Sequence, residues 1–198
     1  MNDRSAQSFR LILASGSPRR RELLTKMGYE FEILVPDVDE HVPGPARDVV
    51  AILSRRKADA AASQLSDGVI IASDTLVSMN GDVLGKPADE ADAHRMLREL
   101  SGNIHEVFTG VTLADAADGR RQTQVVCTQV RFRKLTDEEI WAYIRTGEPM
   151  DKAGAYGIQG GAGIFVASLD GSYENVMGFP VGDIDAMLKE FAKKSIEG

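Results

Sequence analysis

The sequence predicts an α/β fold built on a mixed sheet with flanking helices. Three observations lead there. Short apolar strand-like runs alternate with helical segments up to Leu100. Two long strand-like runs then follow in succession, His105–Ala114 and Arg121–Arg133, joined by the turn-rich DAADG. No internal repeat or low-complexity linker interrupts the chain. Early alternation followed by paired strands means a mixed sheet rather than a strictly parallel one.

Each element has its own signal. Phe9–Ala14 (FRLILA) is a short buried first strand. SGS leads into a helix over PRRRELLTKMG, with Ser17 as N-cap, Pro18 at the first helical position and Gly28 as the stop. YEFEILV alternates as a strand does, and PDVDEHVPGP is a loop with three prolines. Arg47 to about Leu65 is an Ala-rich helix, and Val69–Ser73 (VIIAS) a buried strand. TLVSMNGDVLGKP is a hairpin whose turn is Asn80-Gly81. Ala88–Leu100 is a helix opened near Asp89 and closed by Ser101-Gly102. Thr136 and Glu139 form a capping box for the helix TDEEIWAYIRTG. Lys152–Gly163 holds five glycines and is too polar and glycine-rich for a core element. IFVASLDGSYENVMGFP adds strand and turn, and DIDAMLKEFAKK is the last helix.

The 198 residues are enough for one compact domain or two small lobes around a cleft. At 43% hydrophobic the chain can bury a normal core. A net charge of -7 argues against a general nucleic-acid or anionic-membrane binder, yet a local cation cluster can still hold phosphate. Cys127, the only cysteine, permits no intramolecular disulfide and suits an inert buried thiol. No apolar stretch is long enough to span a membrane, and MNDRSAQSFR lacks the apolar region of a signal peptide. A soluble chain in a reducing compartment, most simply the cytoplasm, is expected.

Chemistry concentrates at turns and element ends. ASGSPRRRELL runs from strand through small residues into a helix N-terminus, where free backbone N–H groups attract anions. Arg19, Arg20 and Arg21 fill the first helical turn, the wrong end of the dipole for cations, and a bound anion reverses that sign. A solvated basic helix start is the plainer alternative. The spacing is not a Walker A motif. Asp74 directly follows VIIAS, and ligand sites lie beyond the carboxyl ends of strands in open α/β sheets; it can equally cap a turn. Thr75 beside it can bond a ligand or the backbone. The loop acids Asp37, Asp39 and Glu40, with Asp74, suit Mg²⁺ or Mn²⁺. His41, His94 and His105 lack ligand spacing, so no zinc site is expected. Lys57 projects between Val50 and Leu53 on its helix, but Arg56 lies close to the same sector, and periodicity does not choose between them. Lys86 sits in GKP after the hairpin, as a phosphate ligand or an exposed turn lysine. Gln159 lies in the glycine-rich loop, its amide able to donate and accept toward a nucleobase edge. So much glycine suits a mobile lid.

The stretches ASGSPRRRELL, SRRKA, ASDTLV, GKP, SGNIHEVFTGV, DKAGAYGIQG and GSYENVMGFP, in this order from near residue 11 to about 184, resemble the Maf family, the septum-formation-inhibitor-like nucleotide pyrophosphatases. The resemblance implies a mixed, twisted α/β sheet with a deep cleft, similar to the inosine triphosphate pyrophosphatases. It implies one domain over residues 1–198, two lobes around the cleft, with 1–8 and 195–198 as loose termini. It also implies homodimers, a divalent metal (Mg²⁺ or Mn²⁺), and cleavage of a nucleoside triphosphate between its α- and β-phosphates. Neither a nucleic-acid polymer nor a membrane is an expected partner. Arg19, Arg20, Asp74, Thr75 and Gln159 resemble the subgroup acting on dTTP and UTP, with modified pyrimidine nucleotides as further substrates. Ser15, Lys57 and Lys86 match other phosphate-site positions, which favours Lys57 over Arg56. Asp74 is the expected catalytic base and metal ligand, with Asp39 or Glu40 as the second acid. Ser73 stands where many members have Ala. The alternatives are a 7-methyl-GTP-type pyrophosphatase of the same family and a non-catalytic nucleotide-binding regulator of cell division.

Overall fold

The computed structural model describes residue 7 and residues 9–194. Of the terminal segments 1–8 and 195–198, only Gln7 lies among them, and its side-chain amide is bonded to both the carbonyl and the N–H of Glu30.

Among the described residues a seven-stranded mixed sheet forms the framework. Its strands are β1 (Leu11–Leu13), β2 (Glu32–Ile33), β3 (Val69–Met79), β4 (Asp82–Leu84), β5 (Ile104–Asp115), β6 (Arg121–Phe132) and β7 (Val166–Asp170). The order is β2-β1-β3-β5-β6-β7, with β4 paired to β3. The β1 pairs with β2 and β3 are parallel, and all others are antiparallel. The helices are α1 (Pro18–Lys26), α2 (Ala46–Ala62), α3 (Glu90–Leu100), α4 (Asp137–Ile144), α5 (Tyr173–Val176) and α6 (Val181–Lys194).

Local chemistry accounts for the ends. The Ser17 side chain accepts from Arg20 N, and Asp89 from Asp92 N. Both halves of the Thr136/Glu139 capping box are formed. Asn80 and Gly81 take φ of 52° and 92°, the positive pair that a tight two-residue hairpin needs.

Two strands depart from the sequence expectation. The second shrinks from YEFEILV to Glu32–Ile33 because β1, its one strand neighbour among the described residues, is three residues long and offers register only to Glu32 and Ile33. The third does not stop at Ser73. It continues to Met79 because β5 pairs with it from Val69 to Ser78. Asp74 is therefore internal to a strand. Its position still lies beyond a carboxyl end, that of β1, whose last pair is Leu13 with Ile71. Past that point, one edge of β3 has no strand partner until β4 joins at Val77. The cleft opens at this gap.

The two sheet faces bury different cores. On one, Ile12, Ala14, Ile70, Ala72 and Ala114 pack with Ala58 and Ala61 of α2. Small side chains bring α2 close, and Gly110 of β5 brings it closest: a Cβ there would lie 2.2 Å from the Val50 carbonyl oxygen. The opposite face joins Leu11, Leu13, Ile71 and Val77 to residues of α1, α3, α4 and α6.

The glycine-rich segment corrects the expectation. It contributes Ala155, Tyr156, Ile158 and Ala162 to the larger core. Its backbone forms successive 3-10 turns, so its carbonyls and amides are partly paired within the segment. Cys127 is half-buried rather than buried; burial first, then the charge of Glu106, pushes its thiol pKa up and keeps it protonated.

His105 is 1% exposed, with Nε2 2.9 Å from the Tyr156 hydroxyl and Nδ1 without a partner. Burial lowers its pKa from 6.5 to about 4. Between those values the unfolded chain binds the proton that the native imidazole refuses, so stability is lost as pH falls through this window. The full loss is about 3 kcal/mol at 1.36 kcal/mol per unit. In urea unfolding, we expect the wild type to lose roughly 2 kcal/mol more than His105→Gln between pH 7 and pH 5. Equal losses in the two proteins would remove this account of His105.

Candidate active site

The gap beside β3 opens into a cleft of about 710 Å³, within the size range of small-molecule sites. Its wall includes Arg19, Arg20, Glu40, Lys57, Asp74, Thr75, Lys86 and Gln159. Residues from α1, α2, β3, the turn after β4 and the glycine-rich segment thus meet in one hollow.

Asp74 is 8% exposed and points to the α2 face, continuing the line of Ile70 and Ala72. Lys57 of α2 meets it there, its Nζ 2.6 Å from Asp74 Oδ1 and 2.7 Å from Glu40 Oε1. Their side-chain exposures, 14% for Lys57 and 12% for Asp74, make this a largely desolvated pair, while Glu40 is more open at 59%. The hydrogen bond from Lys57 first, then its charge and those of Lys86 and Arg20, hold the Glu40 carboxyl below the usual carboxylate range.

The paired candidates from periodicity and spacing take different positions. Lys57, not Arg56, faces Asp74, whereas Arg56 donates to the Asp39 carbonyl. Glu40, not Asp39, reaches the cleft; the Asp39 carboxylate accepts from the His41 N–H and is not part of the wall. Asp37 is exposed and outside the wall as well.

Arg20 lines the gap past the end of β1. It donates to the Ser73 carbonyl at 2.7 Å, the Gly178 carbonyl at 3.0 Å, and the hydroxyls of Ser15 and Thr75 at 3.3 Å each. It replaces the missing strand as partner of the freed Ser73 carbonyl. Burial pushes its guanidinium pKa down, with the charge of Asp74 opposing. Ser15 is 8% exposed, accepts from Ser17 N and Arg20, and does not reach the cleft wall. The Thr75 hydroxyl also lies 3.0 Å from that of Thr109. Arg19, Lys86 and Gln159 stand at the wall, and Lys86 and Gln159 are exposed.

Asp151 and Lys152 also line the cleft, beyond the candidates that the sequence offers. Lys152 Nζ donates to Asp151 Oδ1 and to the Glu148 carbonyl, both at 2.7 Å. That hydrogen bond first, with the charges of Lys152 and Arg19 adding, lowers the Asp151 pKa. Their signal was their place in DKAG at the mouth of the glycine-rich run.

Cations and carboxylates so arranged can cover a polyanion and still hold one acid as a base beside it. Among the described residues no group of three His, Cys, Asp or Glu side chains is placed to hold a metal ion, and no helix is long and apolar enough to cross a membrane.

Residues 10–191 match the family model described as Maf-like protein. The chain is 50% identical over 183 residues to a dTTP/UTP pyrophosphatase of Carboxydothermus hydrogenoformans, covering 92% of this chain and 98% of the relative. It is also 50% identical over 186 residues to a dTTP/UTP pyrophosphatase of Vibrio cholerae, with 92% and 98% coverage. A third of that name, from Pelotomaculum thermopropionicum, is 48% identical over 184 residues, with 91% and 96% covered.

Proposed function

The chain belongs to the Maf-like protein family, and from that membership we propose that it is a dTTP/UTP pyrophosphatase. It is an enzyme, a hydrolase of phosphoric anhydride bonds, releasing the monophosphate and pyrophosphate. Its substrate is the free nucleotide of the cytoplasm, modified pyrimidines included, and it works as a homodimer.

The observation that carries the mechanism is the Lys57 ammonium held between Asp74 and Glu40 at 2.6 and 2.7 Å, in a cleft that also holds Arg19, Lys86 and Gln159. Two carboxylates already converge on one cation. That oxygen donor set fits Mg²⁺ or Mn²⁺, which bind through one or two carboxylates and complete their shell with water and phosphate. Asp74 and Glu40 would hold the ion. When bound, it supplies positive charge to the phosphate oxygens.

The protein's own residues do the rest. Arg19, Lys57 and Lys86 neutralise the triphosphate, the electrostatic term that dominates phosphoryl transfer. Asp74 takes a proton from water as that oxygen attacks the α-phosphorus. The bond from the α-phosphorus to the bridging oxygen breaks, and pyrophosphate leaves with its new charge covered by the cations. Gln159 pairs with the edge of uracil or thymine, whose carbonyls and N3–H suit an amide that donates and accepts. Arg20, Ser15 and Thr75 hold the start of α1 and the β3 strand in register at the cleft through the bonds they share.

The test is pyrophosphate release from a panel of nucleoside triphosphates, modified bases included, with Mg²⁺ and with Mn²⁺. Release from dTTP and UTP at rates well above the purine nucleotides is expected. Preference for 7-methyl-GTP, or binding of dTTP without turnover, would overturn the reading.

A further inference from the structure

Gln159 is exposed and stands at the tip of the glycine-rich segment. The backbone on either side of it is anchored to one device, the buried Tyr143 with the half-buried Glu148. Two residues before, the Gly157 N–H donates to the Tyr143 hydroxyl at 3.0 Å. Two residues after, the Gly161 N–H donates to Glu148 Oε2 at 3.0 Å. The device closes on itself, because the Tyr143 hydroxyl donates to Glu148 Oε1 at 3.1 Å. Burial first, with the Glu148 charge adding, raises the Tyr143 pKa, so its hydroxyl remains a donor. The segment lies hard against these groups: a Cβ on Gly160 would fall 1.8 Å from Glu148 Oε1, and one on Gly161 would fall 3.2 Å from the Tyr143 ring. A side chain at position 160 would push this carboxylate off its bonds to Tyr143 and Gly161. Neither Tyr143 nor Glu148 forms part of the cleft wall.

We propose that Glu148 and Tyr143 are positioning residues that clamp the glycine-rich segment from behind, aim Gln159 into the cleft, and so set the preference of the site for the uracil or thymine edge. The inference rests on the dTTP/UTP reading above. A charge-assisted bond to Gly161 and a neutral one to Gly157 fix the tip from both sides. A side chain held in this way reads a base edge without first being ordered by it, which lowers KM rather than raising kcat.

The test compares wild type with Glu148→Ala, Glu148→Gln and Tyr143→Phe, using UTP and CTP. These two share a sugar and differ at the base edge that Gln159 would read. Glu148→Ala should raise KM for UTP by about 10-fold while kcat stays within about 3-fold. Its preference for UTP over CTP should shrink by roughly the same 10-fold. Glu148→Gln, which keeps one amide oxygen as acceptor, should fall between the two. Tyr143→Phe should shift KM and the preference in the same direction, and it carries the test if Glu148→Ala does not fold. Folded variants with wild-type KM and preference, or with kcat lowered at unchanged KM, would overturn the clamp. A wild-type protein that neither binds nor cleaves UTP would instead overturn the functional reading, and the clamp with it.

Discussion

Asp74→Asn is expected to lower kcat by about 10²–10⁴, the usual worth of a positioned general base. The asparagine keeps the shape of the side chain and an oxygen that can accept from Lys57. It removes the charge and the capacity to take a proton. Lys57 retains Glu40 at 2.7 Å, so the ammonium is not stranded and the fold survives. Breaking a buried pair outright costs about 3–5 kcal/mol, and the remaining partner keeps the cost below that. The expected pattern is therefore a protein with native circular dichroism, a modestly lowered melting temperature, and almost no pyrophosphate release. Turnover within a few-fold of wild type would remove Asp74 from the chemistry.

Gly110→Ala should produce the largest loss of stability. Its Cβ would meet three backbone atoms of α2: the Val50 oxygen at 2.2 Å, the Val50 carbon at 2.5 Å and the Ala51 nitrogen at 3.0 Å. No rotamer change relieves a clash with main chain. Either α2 lifts off the sheet, exposing the layer around Ala58, Ala61 and Ala72, or β5 bends. Overpacking typically costs 1–3 kcal/mol, and a contact this short with backbone belongs at or above about 4 kcal/mol. A fall in melting temperature on the order of 10 °C follows for a chain of this size. Activity should fall as well, because Gly110 is the register partner of Asp74 and α2 carries Lys57. A variant within about 1 kcal/mol of wild type would show that α2 does not rest on the sheet at Gly110.

Much of this was legible in the residues. Caps and turns are local chemistry, so Ser17, Asp89, the Thr136/Glu139 box and Asn80-Gly81 fell where their side chains require. Alternation of elements was enough for a mixed sheet. The misreadings were non-local. An aspartate is a poor strand residue, so local sequence predicts an end at Ser73; the strand continues because β5 pairs with it, 36 residues away in the chain at the Asp74–Gly110 pair. The second strand was capped by the length of its neighbour, which no window around YEFEILV contains.

The site followed the same division. Residue types at turns pointed to phosphate chemistry, and the cleft gathers Arg19, Lys57, Asp74, Lys86 and Gln159. Spacing does not separate Lys57 from Arg56, because both border the apolar sector of their helix, or Glu40 from Asp39, because an irregular loop has no period. The glycine content of Lys152–Gly163 reads as a segment outside the core. Its cause is contact: the chain there lies against Val77, Tyr143 and Glu148 too closely for side chains.

Water attacks the α-phosphorus while the cleft cations cover the charge of the departing pyrophosphate. Hydrolysis of dTTP in ¹⁸O-labelled water, with both products analysed by mass spectrometry, should place one labelled oxygen in dTMP and none in pyrophosphate. Label in pyrophosphate, or orthophosphate as the first product, would contradict it.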